Sequence, residues 1–189
     1  LKKIRATDPK KFALFTGRDQ MQALTGLFAK QFGTPNYAAH GGFCSVNMAA
    51  GMIYTIGGSF WEFGGPDLDR AKLFVMIGTA EDHHSNPMKI AISKFKRAGG
   101  RFISINPVRT GYSAIADEWV PIRPGTDAAF LLAICHVLFA EKLIRLGDLD
   151  GRVNGVDDVR RLAADFPPER VAAATRIPAA IIRRIAREI

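Results

Sequence analysis

The feature that most constrains this fold is a regular alternation of short apolar runs with segments of helical spacing. Residues 72–79 form an apolar run of the kind found in a strand that is covered on both faces. Residues 87–97 follow with helical spacing, and the glycines at 99–100 end that helix before a second apolar run at 101–105. Strands that alternate with helices in this way predict a parallel sheet with right-handed crossovers.

The same alternation extends on both sides of this central part. We predict further strands at 12–16, 37–40 and 118–122 and further helices at 20–32, 46–56 and 127–142. Pro121 favours an edge position for the last strand, and Thr126 or Asp127 is expected to cap the helix after it. The predicted fold class is α/β, with a Rossmann-like, three-layer parallel sheet and flanking helices. We expect this nucleotide-binding domain over 1–145 and a helical extension over 146–189 that belongs to a larger, missing domain.

Composition and charge narrow the class of protein. Hydrophobic residues make up 48% of the chain and charged residues 23%, which is typical of a globular domain. The net charge is +8, but the late arginine clusters have no aromatic residues among them and resemble solvated helix faces. No apolar run reaches the roughly 18 residues of a membrane span. We therefore expect neither a nucleic-acid partner nor a direct membrane span.

The two cysteines have different surroundings. Cys135 lies in the apolar run 130–138 and is predicted to be a small core residue. Cys44 follows two glycines and precedes a predicted helix start, which favours the thiolate, the form that binds metals. Two cysteines cannot supply a disulfide framework or an iron–sulfur site by themselves.

Loops after the predicted strands are the candidate ligand sites, because open parallel sheets bind ligands beyond the carboxyl ends of their strands. Gly78 follows the strongest strand, and a glycine there permits close approach of a phosphate to the backbone. Asn106 can bond a ribose hydroxyl or a base, and the forked guanidinium of Arg109 can pair with a phosphate. Asp127 can accept two N–H bonds from a guanine edge.

The order and spacing of these segments resemble the molybdenum and tungsten oxidoreductases that carry bis(molybdopterin guanine dinucleotide). The similarity runs from about residue 12 to residue 142 and is most specific over 101–127. There a strand is followed by Asn-Pro-x-Arg-Thr at 106–110, Ala-Asp-Glu-Trp at 116–119 and Pro-Ile-Arg-Pro-Gly-Thr-Asp at 121–127.

The resemblance implies a role for each matching position. Cys44 falls where these enzymes keep the catalytic cysteine or selenocysteine that ligates the metal, and His40 and Ser45 are candidates for the groups around it. The expected cofactor-binding residues lie in the loops at strand ends: Asp19, His40, Gly78, Thr79, Glu81, Asn106, Pro107, Arg109, Thr110, Gly125, Thr126 and Asp127.

The resemblance also implies an activity and its components. We expect an internal fragment of a catalytic subunit that performs two-electron chemistry or oxygen-atom transfer on a small inorganic or one-carbon substrate. The cofactor would be bis(molybdopterin guanine dinucleotide) with molybdenum or tungsten. An iron–sulfur cluster is expected only in the missing N-terminal region, and an iron–sulfur electron-transfer subunit is the expected partner. Ser45 stands where formate dehydrogenases usually have histidine, which favours a sulfur oxyanion over formate; nitrate stays open.

Two alternatives and the cellular location are left open by the sequence. A nicotinamide-dependent dehydrogenase would carry a full glycine fingerprint after its first strand, which Gly17, Arg18 and Asp19 do not supply. A non-catalytic nucleotide-binding module is the other alternative. We expect a cytoplasmic protein, with the periplasm as the alternative, and we expect the isolated fragment to be inactive.

Overall fold

The computed structural model describes residues 1–17, 22–40, 45–58, 65–78, 87–109, 111–147 and 150–189. Its contacts divide the chain into two compact units, Leu1–Pro66 and Asp67–Ile189. None of the helices described is both long and apolar enough to cross a membrane.

The first unit is a small α/β arrangement around two parallel strands. Its elements are α1 (Lys2–Thr7), a 3-10 turn (Pro9–Lys11), β1 (Leu14–Thr16), α2 (Gln22–Phe32), β2 (Tyr37–Ala39) and α3 (Ser45–Ile56). Leu14 pairs with Tyr37 and Thr16 with Ala39. We predicted a buried strand at 12–16, but Phe15 is 66% exposed. With only three residues in β1, its alternate side chains point to opposite faces, and Phe15 faces outward.

The second unit contains a three-stranded parallel sheet and six helices among its described residues. The elements are β3 (Leu73–Ile77), α4 (Pro87–Arg97), β4 (Arg101–Ile105), α5 (Tyr112–Ile115), β5 (Glu118–Val120), α6 (Asp127–Ala140), α7 (Val156–Ala164), α8 (Pro168–Thr175) and α9 (Ala179–Glu188). The strand order is β3-β4-β5 and both pairings are parallel. The predicted α/β class is confirmed.

The core of this unit lies on both faces of β4. Phe102 packs with Ile92 and Phe95 of α4 on one face, where the rings of Phe74 and Phe102 stack with centroids 5.4 Å apart. Ile103 and Ile105 pack against α6 and α9 on the other face. We predicted that the run at 72–79 is covered on both faces. Side chains of β3 do pack on both faces, Leu73 and Val75 in one cluster and Phe74 and Met76 in the other. As the outer strand of the described sheet, β3 is nevertheless only partly buried, whereas residues 102–105 of the central strand β4 are buried.

The C-terminal helices share this core. α7, α8 and α9 all pack against α6, and Val171, Ile182 and Ile185 join the same cluster as Ile103. The contacts divide the chain at Pro66 and do not separate it near residue 145. That the extension belongs to a larger domain stays a prediction.

A closed ring of four charged side chains joins α9 to the amino end of the sheet. Arg101 at the start of β4 donates to Glu118 at 2.7 Å and forms an ion pair with Glu188 at 3.3 Å. Arg184 pairs with the same two carboxylates, bonding Glu188 at 2.6 Å. Each charge therefore has two opposite neighbours, which holds α9 against the end of the sheet away from the predicted ligand loops.

The residue after α8 has an unfavourable backbone conformation. Arg176 ends the helix at φ 64° and ψ 17°, in the left-handed region that glycine tolerates best. We expect Arg176→Gly to raise the free energy of unfolding by about 0.5–1 kcal/mol, since the steric cost outweighs the entropy cost of glycine. Guanidinium unfolding of the purified chain measures the change. Ala174→Gly, at an exposed position in the last turn of α8, is the matched control and should lower stability by up to about 1 kcal/mol.

Candidate cofactor-binding site

Three of the predicted loops begin at one edge of the second unit. Because β3, β4 and β5 are adjacent and parallel, their carboxyl ends lie side by side. Gly78 follows β3, Asn106 follows β4, and the segment 124–127 leads from β5 into α6. We call this the carboxyl edge.

Gly78 keeps the first of these positions open. Its φ is +77°, and no described atom lies within 4 Å of the point where a Cβ would sit. Its amide donates to the carbonyl of Ile105 at 3.0 Å, which continues the β3–β4 ladder by one residue. At Gly78 the chain therefore still lies beside β4, and none of the described atoms occupies the Cβ position.

Asn106, the residue after β4, is buried. The residue is 2% exposed, and its amide N–H donates to the carbonyl of Val120 at 3.2 Å. The side-chain Oδ1 accepts a bond from the amide of Val108 at 3.3 Å. Such a bond from Asn to the residue two positions on forms an Asx turn. The structure thus gives the Asn106 oxygen a role in shaping the loop; its predicted ribose contact stays a prediction.

The residues after Asn106 are exposed. Pro107 and Arg109 both lie at the surface, and Arg109 makes no ion pair with any other residue that the structure describes. A guanidinium in this state can engage a phosphate without first breaking an ion pair to the described residues.

The segment before α6 is a tight turn. Gly125 has φ +80°, and the amide of Thr126 donates to the carbonyl of Arg123 at 3.3 Å. Proline followed by a glycine with positive φ is typical of a type II turn. α6 begins at Asp127 as predicted, but the Thr126 hydroxyl does not cap it: Oγ1 donates to the Arg123 carbonyl at 2.6 Å. The Thr126 hydroxyl is therefore bonded within the turn and is not available to the helix amides.

The first unit has a similar edge. Gly17 follows β1 and His40 follows β2, and the parallel pairing brings both to the carboxyl end of that strand pair. α3 begins at Ser45, close to the predicted start. The predicted site residues Asp19, Cys44, Thr79, Glu81 and Thr110 lie outside the residues that the structure describes.

Asp117, which we assigned no role, joins β5 to β4. One carboxylate oxygen accepts the Phe102 amide at 2.8 Å and the other pairs with Lys96 at 2.8 Å. Partial burial alone would raise the pKa of Asp117, but the bonds from Lys96 and Phe102 outweigh it and lower that pKa. The Asp117 carboxylate thereby accepts the Phe102 amide of β4 at a position just before β5 begins at Glu118.

Trp119 makes a second contact that the sequence did not reveal. Its indole N–H donates to the carbonyl of Asn106 at 2.7 Å. The cluster Ala-Asp-Glu-Trp was visible in the sequence as a motif, but nothing in it showed which backbone atom the indole would reach.

Cys135 is half-buried in α6, where burial raises the pKa of its thiol. The neutral thiol agrees with the predicted packing role, although the side chain is less enclosed than expected. Across the described part of the chain, no three His, Cys, Asp or Glu side chains lie together as a metal site would require.

Comparison with known proteins identifies the family. The family model "Molybdopterin oxidoreductase" matches residues 2–145 of this chain. The chain belongs to the molybdopterin oxidoreductase family. The sequence resemblance is thereby confirmed, and the match spans all five strands of the structure's described residues.

Several proteins of known kind are similar to this chain. The sulfite dehydrogenase of Allochromatium vinosum has a subunit that is 89% identical over 143 residues, covering 76% of this chain and 15% of that protein. The thiosulfate reductase molybdopterin-containing subunit of Salmonella typhimurium is 28% identical, with coverage of 85% and 21%. The dimethyl sulfoxide reductase of Haemophilus influenzae is 33% identical, with coverage of 79% and 22%. This member of the family thus spans about a fifth or less of the length of these relatives.

A solved structure shares the fold. Acetylene hydratase from Pelobacter acetylenicus superposes with a TM-score of 0.72 and 22% identity, covering 98% of this chain and 25% of that one. At this identity the similarity establishes the fold alone.

The Asp117 bonds predict how stability depends on pH. Because the folded-state pKa of Asp117 is lowered, its contribution to stability is complete above its unfolded pKa of about 3.9 and is lost as pH falls through the folded value. We expect Asp117→Asn to destabilise the chain at pH 6 and the difference from wild type to shrink below about pH 4.

Urea unfolding at a series of pH values from neutral to strongly acidic measures this. Lys96→Met should remove part of the same pH dependence in wild type but none in the Asp117→Asn background. An unchanged pH profile in both single variants would contradict the assignment.

Proposed function

We propose that this chain is the guanine-dinucleotide-binding segment of the catalytic subunit of a molybdenum- or tungsten-dependent oxidoreductase. The observation that carries the proposal is the carboxyl edge, where three loops follow adjacent parallel strands. This is the position at which open α/β sheets bind ligands. The family assignment favours this function over a nicotinamide-dependent dehydrogenase or a non-catalytic nucleotide-binding module.

The residues at this edge fit a dinucleotide. Gly78 has a positive φ, and no described atom lies within 4 Å of the point where a Cβ would sit, which suits the close approach of a pyrophosphate to the backbone. Arg109 supplies an exposed cation with no ion-pair partner among the described residues. Asp127 lies at the start of α6, after the turn at Gly125, where a carboxylate can accept the N–H groups of guanine. Cation, open backbone and carboxylate together match phosphate and guanine, and they support the dinucleotide form of the pterin cofactor.

Cys44 is proposed as the metal ligand. It precedes α3 directly, and the beginning of a helix favours a thiolate. When bound, the pterin–metal group would supply two-electron redox chemistry, while the protein orients it. His40, on the carboxyl side of β2, is proposed to lie near the same site. Asp19 is proposed to contact the pterin; Thr79, Glu81 and Thr110 are proposed to complete the nucleotide loops.

The proposed substrate is a sulfur oxyanion, with sulfite the first to test. The support is the 89% identity to one subunit of a sulfite dehydrogenase, together with the similarity to a thiosulfate reductase. Because this chain covers a small part of each relative, we also propose that an iron–sulfur cluster lies elsewhere in the whole catalytic chain. A separate iron–sulfur protein would accept the electrons, and the proposed location is the cytoplasm.

Arg109 tests the nucleotide-binding assignment. In the full-length subunit that carries this chain, Arg109→Ala should lower the guanosine monophosphate released on denaturation by about tenfold after dialysis in salt, since a charge-assisted bond to phosphate is lost. Arg145→Ala, which removes another exposed arginine far along the chain from the loops, is the control and should retain the wild-type content. A wild-type subunit without guanine nucleotide would overturn the proposed function.

Cys44 tests the metal assignment. Cys44→Ala should abolish sulfite-dependent reduction of an artificial acceptor and change the X-ray absorption spectrum of the metal, because one sulfur ligand is removed. Guanosine monophosphate content should stay at the wild-type level. Cys135→Ala is the control and should leave both readouts unchanged, since Cys135 packs within α6. Full turnover in Cys44→Ala would refute the assignment.

A further inference from the structure

Trp119 makes a contact that neither the fold nor the proposed ligand set accounts for. It lies on β5, in register with Ser104 of β4. Its indole N–H reaches past that partner and donates to the carbonyl of Asn106 at 2.7 Å. The contact therefore joins β5 to the first residue beyond β4.

That carbonyl has left the regular ladder. The Ile105 carbonyl is bonded by Gly78 from β3, and the Asn106 amide donates to Val120 of β5. Among the described residues of these strands, no further backbone bond follows these two. A backbone oxygen in a residue only 2% exposed is costly to leave without a donor. The indole nitrogen, which can only donate, supplies that bond.

The bond also determines the direction of the loop. A fixed carbonyl orients the plane of the peptide between Asn106 and Pro107. The pyrrolidine ring restricts φ of Pro107 to about −65°, so this orientation passes on to the exposed residues that follow. The Asx turn from Asn106 to the Val108 amide at 3.3 Å adds a second restraint. The backbone that carries Arg109 is therefore restrained by two hydrogen bonds, one from Trp119 and one from the Val108 amide.

We propose that Trp119 is a positioning residue for the nucleotide loop: its indole N–H fixes the Asn106 carbonyl and thereby pre-organises Arg109 for a phosphate. The proposal rests on the proposed function and adds to it a residue outside the loops themselves. Pre-organisation lowers the entropy cost of binding, so the effect should appear in retention of the nucleotide more than in stability of the fold.

The experiment replaces the indole N–H of Trp119 with a group that cannot donate a hydrogen bond. In the full-length subunit purified with its cofactor, Trp119 is exchanged for 3-benzothienylalanine, which keeps the ring shape but has sulfur in place of N–H. In a parallel sample it is exchanged for 7-azatryptophan, which keeps the N–H. Release of guanosine monophosphate-containing cofactor is followed over time in salt, together with the melting temperature.

We expect the benzothienyl protein to lose nucleotide roughly three- to tenfold faster than wild type, the factor that one net hydrogen bond converts to. The azatryptophan protein should behave like wild type. Thr175→Val is the matched control: Thr175 is 0% exposed, its hydroxyl bonds Val171 and Ile177, and its backbone carbonyl, which valine retains, accepts the Arg123 amide. It should lower the melting temperature without changing nucleotide release.

The outcomes separate the two proposals. A wild-type subunit that holds no guanine nucleotide overturns the proposed function and this inference together. A wild-type subunit that holds it, with equal release rates from the benzothienyl protein, overturns the positioning role of Trp119 alone. The positioning role would also be overturned if Thr175→Val released nucleotide as fast as the benzothienyl protein at an equal fall in melting temperature. The faster release would then reflect loss of folding stability.

Discussion

The second unit depends on one buried strand. β4 is hydrogen-bonded to a parallel neighbour on each side, and both of its faces are covered by helices. Such a strand favours apolar side chains, and its buried Ser104 is bonded to Ser113 at 2.7 Å. The charged groups lie at the two ends of the strand. The amino end is held by the ring of Arg101, Glu118, Arg184 and Glu188. The carboxyl end carries the proposed site.

The two ends of β4 therefore have different roles: the amino end stabilises the fold, and the carboxyl end carries the proposed binding site. Charges at the amino end pair with one another, and helix α9 closes over them. At the carboxyl end, by contrast, Arg109 makes no ion pair with other described residues, and no described atom lies within 4 Å of the Cβ position of Gly78. A site that must accept a charged ligand needs such groups held in place but not yet neutralised. The hydrogen bonds of Asn106 and Trp119 hold the loop that carries Arg109 in place.

Much of the secondary structure could be read from the sequence because its signals are local. α4 was predicted at its observed bounds, since glycines follow a periodic segment, and β4 was predicted at 101–105 because an apolar run lies between a turn and Asn-Pro. The helix α1 and the four-residue α5 were missed, because such short segments carry too little periodicity. Thr126 was expected to cap α6, but the nearer Arg123 carbonyl captures its hydroxyl. Short-range competition of this kind is invisible in a pattern of residue types.

The sequence by itself determined the alternation of strands and helices, the family, and the loops where a ligand would bind, because periodicity and turn residues act over a few neighbours. Only the tertiary structure decided which strand is central, that Asn106 turns its oxygen inward, and that Asp117 and Trp119 bond the backbone of β4 and the residue that follows it. The Asp117 and Trp119 bonds join residues 13 to 15 positions apart in the chain. They form only after β5 has packed beside β4, so no local rule encodes them.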